Sequence, residues 1–350
     1  MSHPEPPPPT ALRQALIRLA AGESLSESEA EAAFGEIMSG AATPASVGAA
    51  LMAMRTRSET PAEIAGAVRA LRQAMRTVPG GDPALLVDTC GTGGGRTSTL
   101  NLSTAAAFVA AAAGVRVAKH GNRSFTSRSG SADVLEALGL SLELTPEESA
   151  DVLNRAGLVF LFAPAYHPAM RHVAPIRREL GVPTLMNLIG PLANPAGATR
   201  QVVGVADLAR APVIAEALAR LGATHALVVH ADVGMDEISP LGLTSVWEIR
   251  SGTVTPWRLD PAEFGLASES LEGLEGGEPS ENAARIEALL RSPEQSMPAL
   301  VAAVVHNAAA AVYVSGQGLS WEESVLAARR ALNEGAAAER LTLLRELAGR

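Results

Sequence analysis

Cysteine is almost missing from this sequence: Cys90 is the only one in 350 residues. No intrachain disulfide is therefore available, and a reducing, cytoplasmic setting is expected. Aromatic residues are scarce at 3% and charged ones make up 19%, whereas 47% of the chain is hydrophobic and rich in alanine. That balance excludes a disordered or fibrous chain and predicts a soluble α/β protein, with room for one large domain or two ordinary ones. Positive charge is also short. A net charge of -9 and a pI near 5.4 argue against a general nucleic-acid surface, so a polyanionic ligand would need local donors and a metal. The opening MSHPEPPPPT is a Pro-rich tail with neither a basic nor an apolar segment, and no signal peptide is expected. Two nearly uncharged runs, 100–115 and 300–316, are alanine-rich, short for a membrane span and interrupted by Asn or His. They read as buried helices rather than spans.

What is present falls into two regimes. Up to residue 78 only helices are expected: ALRQALIRLAAG has helical apolar spacing, and SESEAEAAFGEIM opens with a Ser26…Glu29 capping box. TPASVGAALMAM and TPAEIAGAVRALRQAM each begin Thr-Pro, an N-cap followed by proline in the first turn. After GGDP, strands and helices alternate. LLVDTC (85–90), VRVAKHG (115–121), GLVFLFAP, RQVVGVA and HALVVHA are strand candidates, with ADVLEALG and HPAMRHVAPIRRELG as helices among them. More helices fill the last third, one starting at a Ser320…Glu323 capping box. The predicted fold is α/β: a small all-helical domain plus a larger α/β domain with a mainly parallel central sheet and crossover helices.

Ligands of an open parallel sheet sit beyond the carboxyl ends of its strands, and three such loops carry polar groups. The first, GTGGGRTSTLNLST (91–104), fits neither common nucleotide template. It has no P-loop lysine, and Arg96 stands where the third glycine of a dinucleotide fingerprint belongs. Its glycine amides, with Thr99, Asn101, Ser103 and Thr104 at a helix start, suit a phosphate. The alternative is a tight strand-to-helix turn whose hydroxyls only cap. In the second loop Lys119 ends a strand, and SRSGSAD opens a helix with Ser129, Gly130 and Ser131 at its mouth. These make a second anion site, or else a surface lysine beside a capping serine. Two adjacent cradles favour a ligand with two phosphate groups.

The third loop is MDEIS, where Asp236 and Glu237 follow a strand. In a turn both can serve one Mg²⁺ carried on a substrate phosphate; solvated surface is the plainer reading. Arg171, Arg177 and Arg178 on the 167–180 helix offer a fork for a carboxylate, although most helix arginines face water. His120 and Asn122, just past Lys119, are placed to reach a second ligand. Cys90 reads as a small core residue without a partner base.

DTCGTGG (88–94), TLNLSTAAAFVAAAAG (99–114), KHGNRSFTSRSGSADVLEALG (119–139), FLFAPAYHPAMRHVAPIRRELG (160–181), NLIGPLANP (187–195) and GMDEIS (234–239) carry a wider likeness. Through them the chain resembles the anthranilate phosphoribosyltransferase family of tryptophan biosynthesis, over nearly everything after the Pro-rich tail. The resemblance implies a discontinuous, dimer-forming helical domain of residues 11–78 plus about 165–190. It implies an α/β domain of 79–164 plus about 191–350 that binds phosphoribosyl pyrophosphate (PRPP). The implied reaction moves the phosphoribosyl group of PRPP to the amine of anthranilate as pyrophosphate leaves, with Mg²⁺ as cofactor and a homodimer as the assembly. By matching motifs, Gly91, Thr92, Gly93, Gly94, Thr99, Asn101, Ser103, Lys119 and Ser131 would contact PRPP. Ser103, Asp236 and Glu237 would hold Mg²⁺. Gly91, His120, Asn122, His167 and Arg177 would bind anthranilate, the arginine through its carboxylate. His120 is a candidate for orienting the amine, and no general base is identified. Such catalysis is electrostatic and positional, with no covalent intermediate.

The chain departs from the commoner pattern of that family at a few places. Gly95 stands where an aspartate usually completes GTGGD, which bears on metal number, Mg²⁺ dependence and PRPP affinity. Pro183 replaces an arginine and bears on the hinge between domains, while Met186 and Ile189 are apolar variants. A pyrimidine nucleoside phosphorylase-like enzyme is the first alternative; the Arg177 context argues for an aromatic acid instead. A nucleic-acid-binding relative is the second, and the net charge together with the intact Lys119, Asp236 and Glu237 argues against it. Neither a nucleic-acid nor a membrane partner is expected.

Overall fold

The computed structural model describes residues 10–93, 99–124 and 128–349. The chain opens with α1 (Ala11–Ala20), α2 (Glu27–Ser39), α3 (Pro44–Arg57) and α4 (Pro61–Gln73). Then come β1 (Leu86–Gly91), α5 (Leu102–Ala112), β2 (Arg116–Gly121), α6 (Ser131–Ala137), α7 (Pro146–Ala156), β3 (Leu158–Phe162) and α8 (Ala163–Tyr166). Two short helices, α9 (Ala174–Leu180) and α10 (Leu185–Ile189), precede β4 (Arg200–Gly204), α11 (Ala211–Arg220), β5 (His225–Ala231), β6 (Thr244–Arg250) and β7 (Thr253–Leu259). The chain closes on α12 (Pro279–Arg291), α13 (Pro298–Val314), α14 (Trp321–Asn333) and α15 (Ala336–Ala348).

Two compact units result. One takes the described residues up to Met75 together with His167–Ala193; the other takes Arg76–Tyr166 and everything described from Asn194 on. In the helical unit Thr10, Ser26, Thr43 and Thr60 each cap a helix by accepting a backbone N–H three residues on. Each cap is worth about 1 kcal/mol. Helices α2 and α4 cross so closely that a Cβ on Gly66 would lie 2.2 Å from the Glu27 carbonyl oxygen, so only glycine fits there. The Arg72 guanidinium donates to the Leu192 carbonyl at 2.7 and 3.1 Å, which ties the later segment of the unit to α4. The stretch 167–180, expected as one helix, is two pieces: a 3-10 turn at Pro168–His172 and then α9. Pro175 explains the break, because a residue without an N–H is tolerated only in the first turn of a helix.

In the α/β unit the described strands form one seven-stranded sheet in the order β3-β2-β1-β4-β5-β6-β7. Its first five members in that order are parallel, and β6 and β7 are added antiparallel. Strand β5, HALVVHA, is buried along its whole length, as a central parallel strand must be. The sequence did not suggest β6 or β7. Strand β7 is a largely exposed edge carrying Pro256, a residue that sheets accept only at an edge, so it lacks the apolar run of a core strand. The two nearly uncharged runs form α5 and α13, apolar all round and packed against each other. None of the described helices is long and apolar enough to cross a membrane.

Candidate functional site

From β1 the strand order leads one way to β2 and β3 and the other way to β4 and β5. The carboxyl ends of β1 and β4 therefore flank the switch point, where open sheets bind ligands. Both strands end in glycine, and the Thr92 N–H donates to the Gly204 carbonyl at 2.8 Å. A Cβ on Gly204 would stand 1.6 Å from the Asp236 carbonyl oxygen, and one on Gly91 would stand 3.3 Å from Asp236 Oδ2. The missing side chains admit the acidic loop that follows β5 into the crevice.

That loop reaches across to the start of α5. Glu237 Oε1 accepts the Ser103 N–H at 3.0 Å and Oε2 accepts the Thr99 hydroxyl at 2.9 Å. The carboxylate thus serves a first-turn amide that has no partner within the helix. Burial, and then the neighbouring Asp236 charge, pushes the Glu237 carboxyl above the ordinary carboxylate range. Burial pushes Asp236 up as well. Two adjacent carboxylates in that condition mark a place short of positive charge. Among the described residues no third carboxylate, histidine or cysteine joins them to complete a protein-only metal cage. The donor set fits Mg²⁺, a hard cation that takes one or two carboxylates and fills its shell with water and phosphate oxygens.

Lys119 corrects the sequence reading in two respects. It lies inside β2 rather than at its end, and its ammonium serves the first loop rather than the helix mouth at 128–131. It donates to the Thr89 carbonyl, to the Thr89 hydroxyl at 3.3 Å and to the Ser103 hydroxyl at 3.2 Å. The strand end is occupied otherwise: a Cβ on Gly121 would lie 2.3 Å from Ser131 Oγ, so the serine packs where a side chain would be. Burial lowers the Lys119 pKa, opposed by the Asp88 carboxylate. Lys119 is also the only lysine among 28 Lys and Arg residues, a signal carried by composition alone. A compact ammonium suits a narrow site that a planar guanidinium does not.

The loop at 128–131 is joined to this cluster through Asn101. Its Nδ2 donates to the Ser129 carbonyl at 3.1 Å, and its Oδ1 accepts from Asn282 of α12 at 3.1 Å. Ser131 donates to the carbonyl of exposed Asn122 at 3.3 Å. The buried His120 donates its backbone N–H to Asp88 Oδ1 at 3.0 Å, and Asp88 Oδ2 accepts from Asn194 at 2.8 Å. Burial pushes the Asp88 carboxyl up to about 6. No sequence motif points to Asp88 or Asn194 as a pair, although an aspartate within LLVDTC breaks an apolar strand. Cys90 lies on β1 with its thiol pushed up by burial, which leaves it unreactive. Gly93 adopts φ +66°, a conformation that favours glycine. Gly94 and Gly95 lie outside the described residues.

His167 and Arg177 belong to the helical unit. His167 is buried, which lowers its pKa to about 4. Arg177 is half-buried, and among the described residues its guanidinium has no hydrogen-bond or ion-pair partner. Arg171, Arg178 and Pro183 are exposed, while Met186 and Ile189 are core residues of that unit.

Residues 84–338 match the glycosyl transferase family's a/b domain, and residues 13–75 match its helical bundle domain. An anthranilate phosphoribosyltransferase of Rubrobacter xylanophilus is 50% identical, over 97% of this chain and 99% of its own length. The crystal structure of anthranilate phosphoribosyltransferase from Thermus thermophilus is similar with a TM-score of 0.88 at 45% identity, covering 96% of this chain and 99% of that one. The Saccharomyces cerevisiae enzyme in complex with PRPP and Mg superposes with a TM-score of 0.87 at 28% identity, covering 96% of this chain and 97% of that one.

Proposed function

The chain belongs to the glycosyl transferase family that joins a helical bundle to an a/b domain, and from that membership we propose how its own residues divide the work. Like its relatives it transfers the 5-phosphoribosyl group of PRPP to the amine of anthranilate, giving N-(5-phosphoribosyl)anthranilate and pyrophosphate, a pentosyl transfer of tryptophan biosynthesis. The observation that carries the division of labour is the meeting of Lys119, Ser103 and Glu237 at the start of α5, beside the glycines that end β1 and β4.

In this reading Gly91, Thr92, Gly93 and Gly94 contact PRPP together with Thr99, Asn101, Ser103, Lys119 and Ser131. Ser103, Asp236 and Glu237 would hold Mg²⁺. When bound, that ion would neutralise charge on the phosphate oxygens of PRPP. With glycine at 95, the Asp236–Glu237 pair supplies the carboxylates without help from the glycine loop. The reaction makes one bond and breaks one. The anthranilate nitrogen bonds to C1 of the ribose, the C1–O bond to pyrophosphate breaks with its electron pair, and the nitrogen sheds a proton. Lys119, buried and already aimed at Ser103, stabilises the departing charge in a setting where water does not compete. Arg177 takes the anthranilate carboxylate through a two-bond fork; its half-buried guanidinium, without a partner among the described residues, supports that role. Gly91, His120, Asn122 and His167 complete the anthranilate set, and the helical unit forms the homodimer.

Product analysis tests this reading. Incubation of the purified chain with anthranilate, PRPP and Mg²⁺ is expected to yield phosphoribosyl-anthranilate and pyrophosphate in equal amounts, identified by mass. Phosphate-dependent cleavage of a pyrimidine nucleoside, with no such product, would overturn it.

A further inference from the structure

Asn307, on α13, has no role in the division of labour above, yet its whole carboxamide is engaged beside the acidic loop. Its Oδ1 accepts the Ile238 N–H at 3.1 Å, and its Nδ2 donates to the Ile238 carbonyl at 2.9 Å and to the Ala303 carbonyl at 2.9 Å. One side chain thus pairs both backbone groups of a loop residue, as a neighbouring strand would. Ile238 is fully buried and directly follows Glu237. Its polar backbone groups therefore need protein partners, and Asn307 supplies them. The bond to Ala303, one turn back on the same helix, fixes the orientation of the carboxamide. The same side chain lines a small cavity with Thr89, Ser103, Asp236 and Glu237.

We propose that Asn307 is a positioning residue for the transfer reaction: by holding Ile238 it sets where the Asp236 and Glu237 carboxylates stand against the start of α5. The loop's other ties are the bonds of the Glu237 carboxylate to Ser103 and Thr99, and flanking bonds such as those from the Ala231 N–H to the Met235 carbonyl and from the Ser239 N–H to the Thr244 hydroxyl. None of these grips Ile238. The proposal rests on the reading of Asp236 and Glu237 as the metal-holding pair.

Asn307→Leu keeps the size and removes the three hydrogen bonds. Asn307→Ala, which leaves space for water at Ile238, replaces it if the leucine variant does not fold. Mn²⁺ titrated into the full chain with PRPP, followed by electron paramagnetic resonance, reads binding without turnover. The expected result is an affinity weaker by roughly tenfold or more, the range for outer-shell partners of metal sites. The Mg²⁺ half-saturation of turnover rises in step, while KM for anthranilate stays as in the parent. Val304→Ala, at an equally buried position of α13, is the control for a merely structural effect: it lowers the thermal midpoint without moving Mn²⁺ affinity. Unchanged Mn²⁺ affinity in the Asn307 variant, or an equal change in Val304→Ala, overturns the positioning role and leaves the carboxylate pair standing. A parent chain that binds no Mn²⁺ with PRPP overturns both.

Discussion

Glu237 and Ser103 meet at 3.0 Å, the carboxylate of one on the backbone N–H of the other, across 134 positions of sequence. The contact joins the loop after β5 to the helix after β1. Glu237→Gln keeps an acceptor for that amide, removes the charge, and turns the group facing the Thr99 hydroxyl from acceptor to donor. The Mg²⁺ half-saturation of turnover is expected to rise at least tenfold, roughly the size of a metal-site perturbation. The metal-free protein should hold or gain thermal stability, because a buried charge has been deleted. The sign of its pH dependence follows. The folded carboxyl is raised above its unfolded value near 4.5, so the folded state binds the proton more readily. Glu237 therefore adds stability as pH falls through its folded pKa toward 4.5, and the glutamine variant lacks that share while keeping the contributions of Asp236 and Asp88. Melting curves in chelator across this range check it.

Gly204→Ala puts a methyl where the Asp236 carbonyl oxygen stands, at 1.6 Å. Backbone cannot yield as a flexible side chain does, so the loop must move. A stability loss of about 1–3 kcal/mol is expected, the usual cost of overpacking. Calorimetry and Mg²⁺ titration should show the loss of stability together with a raised metal requirement.

Lys119 is the only lysine in the sequence, so ¹⁵N-lysine labelling places a single side-chain signal in the spectrum. Its titration midpoint is expected below the ordinary 10.5, because burial disfavours the ammonium. Lys119→Met should lower kcat by roughly 100-fold or more, the effect of deleting one donor to developing charge. KM for anthranilate should be unaffected.

Arg177→Ala removes a half-buried guanidinium that has no partner among the described residues. KM for anthranilate should rise at least about tenfold, as for a lost charge-assisted fork, while KM for PRPP and the thermal midpoint stay close to the parent. Equal damage to both KM values would place the arginine elsewhere in the chemistry.

Much of this architecture was written locally. Strands β1 to β5 are apolar runs punctuated by Gly, Pro and polar turns, and the helix starts announce themselves through Ser26, Thr43, Thr60 and Ser320. What the sequence hid depends on neighbours. Strands β6 and β7 lie at the antiparallel end of the sheet; β7 is a largely exposed edge, and β6 spends buried positions on Thr244 and Ser245, so neither carries an apolar run. Lys119 reads as a strand-end residue until pairing shows that its partners are Thr89 and Ser103. Asn307 reads as a polar blemish in an alanine-rich helix, and only the contact with Ile238 gives it a purpose. Gly204 carries no motif at all; the approach of Asp236 explains it.

Anthranilate fluorescence, followed in the purified full chain, reads the transfer reaction itself. The expected loss requires both PRPP and Mg²⁺, is matched one to one by released pyrophosphate, and collapses in Lys119→Met. Unchanged fluorescence at every Mg²⁺ concentration tried, with folded protein and intact PRPP, would contradict it.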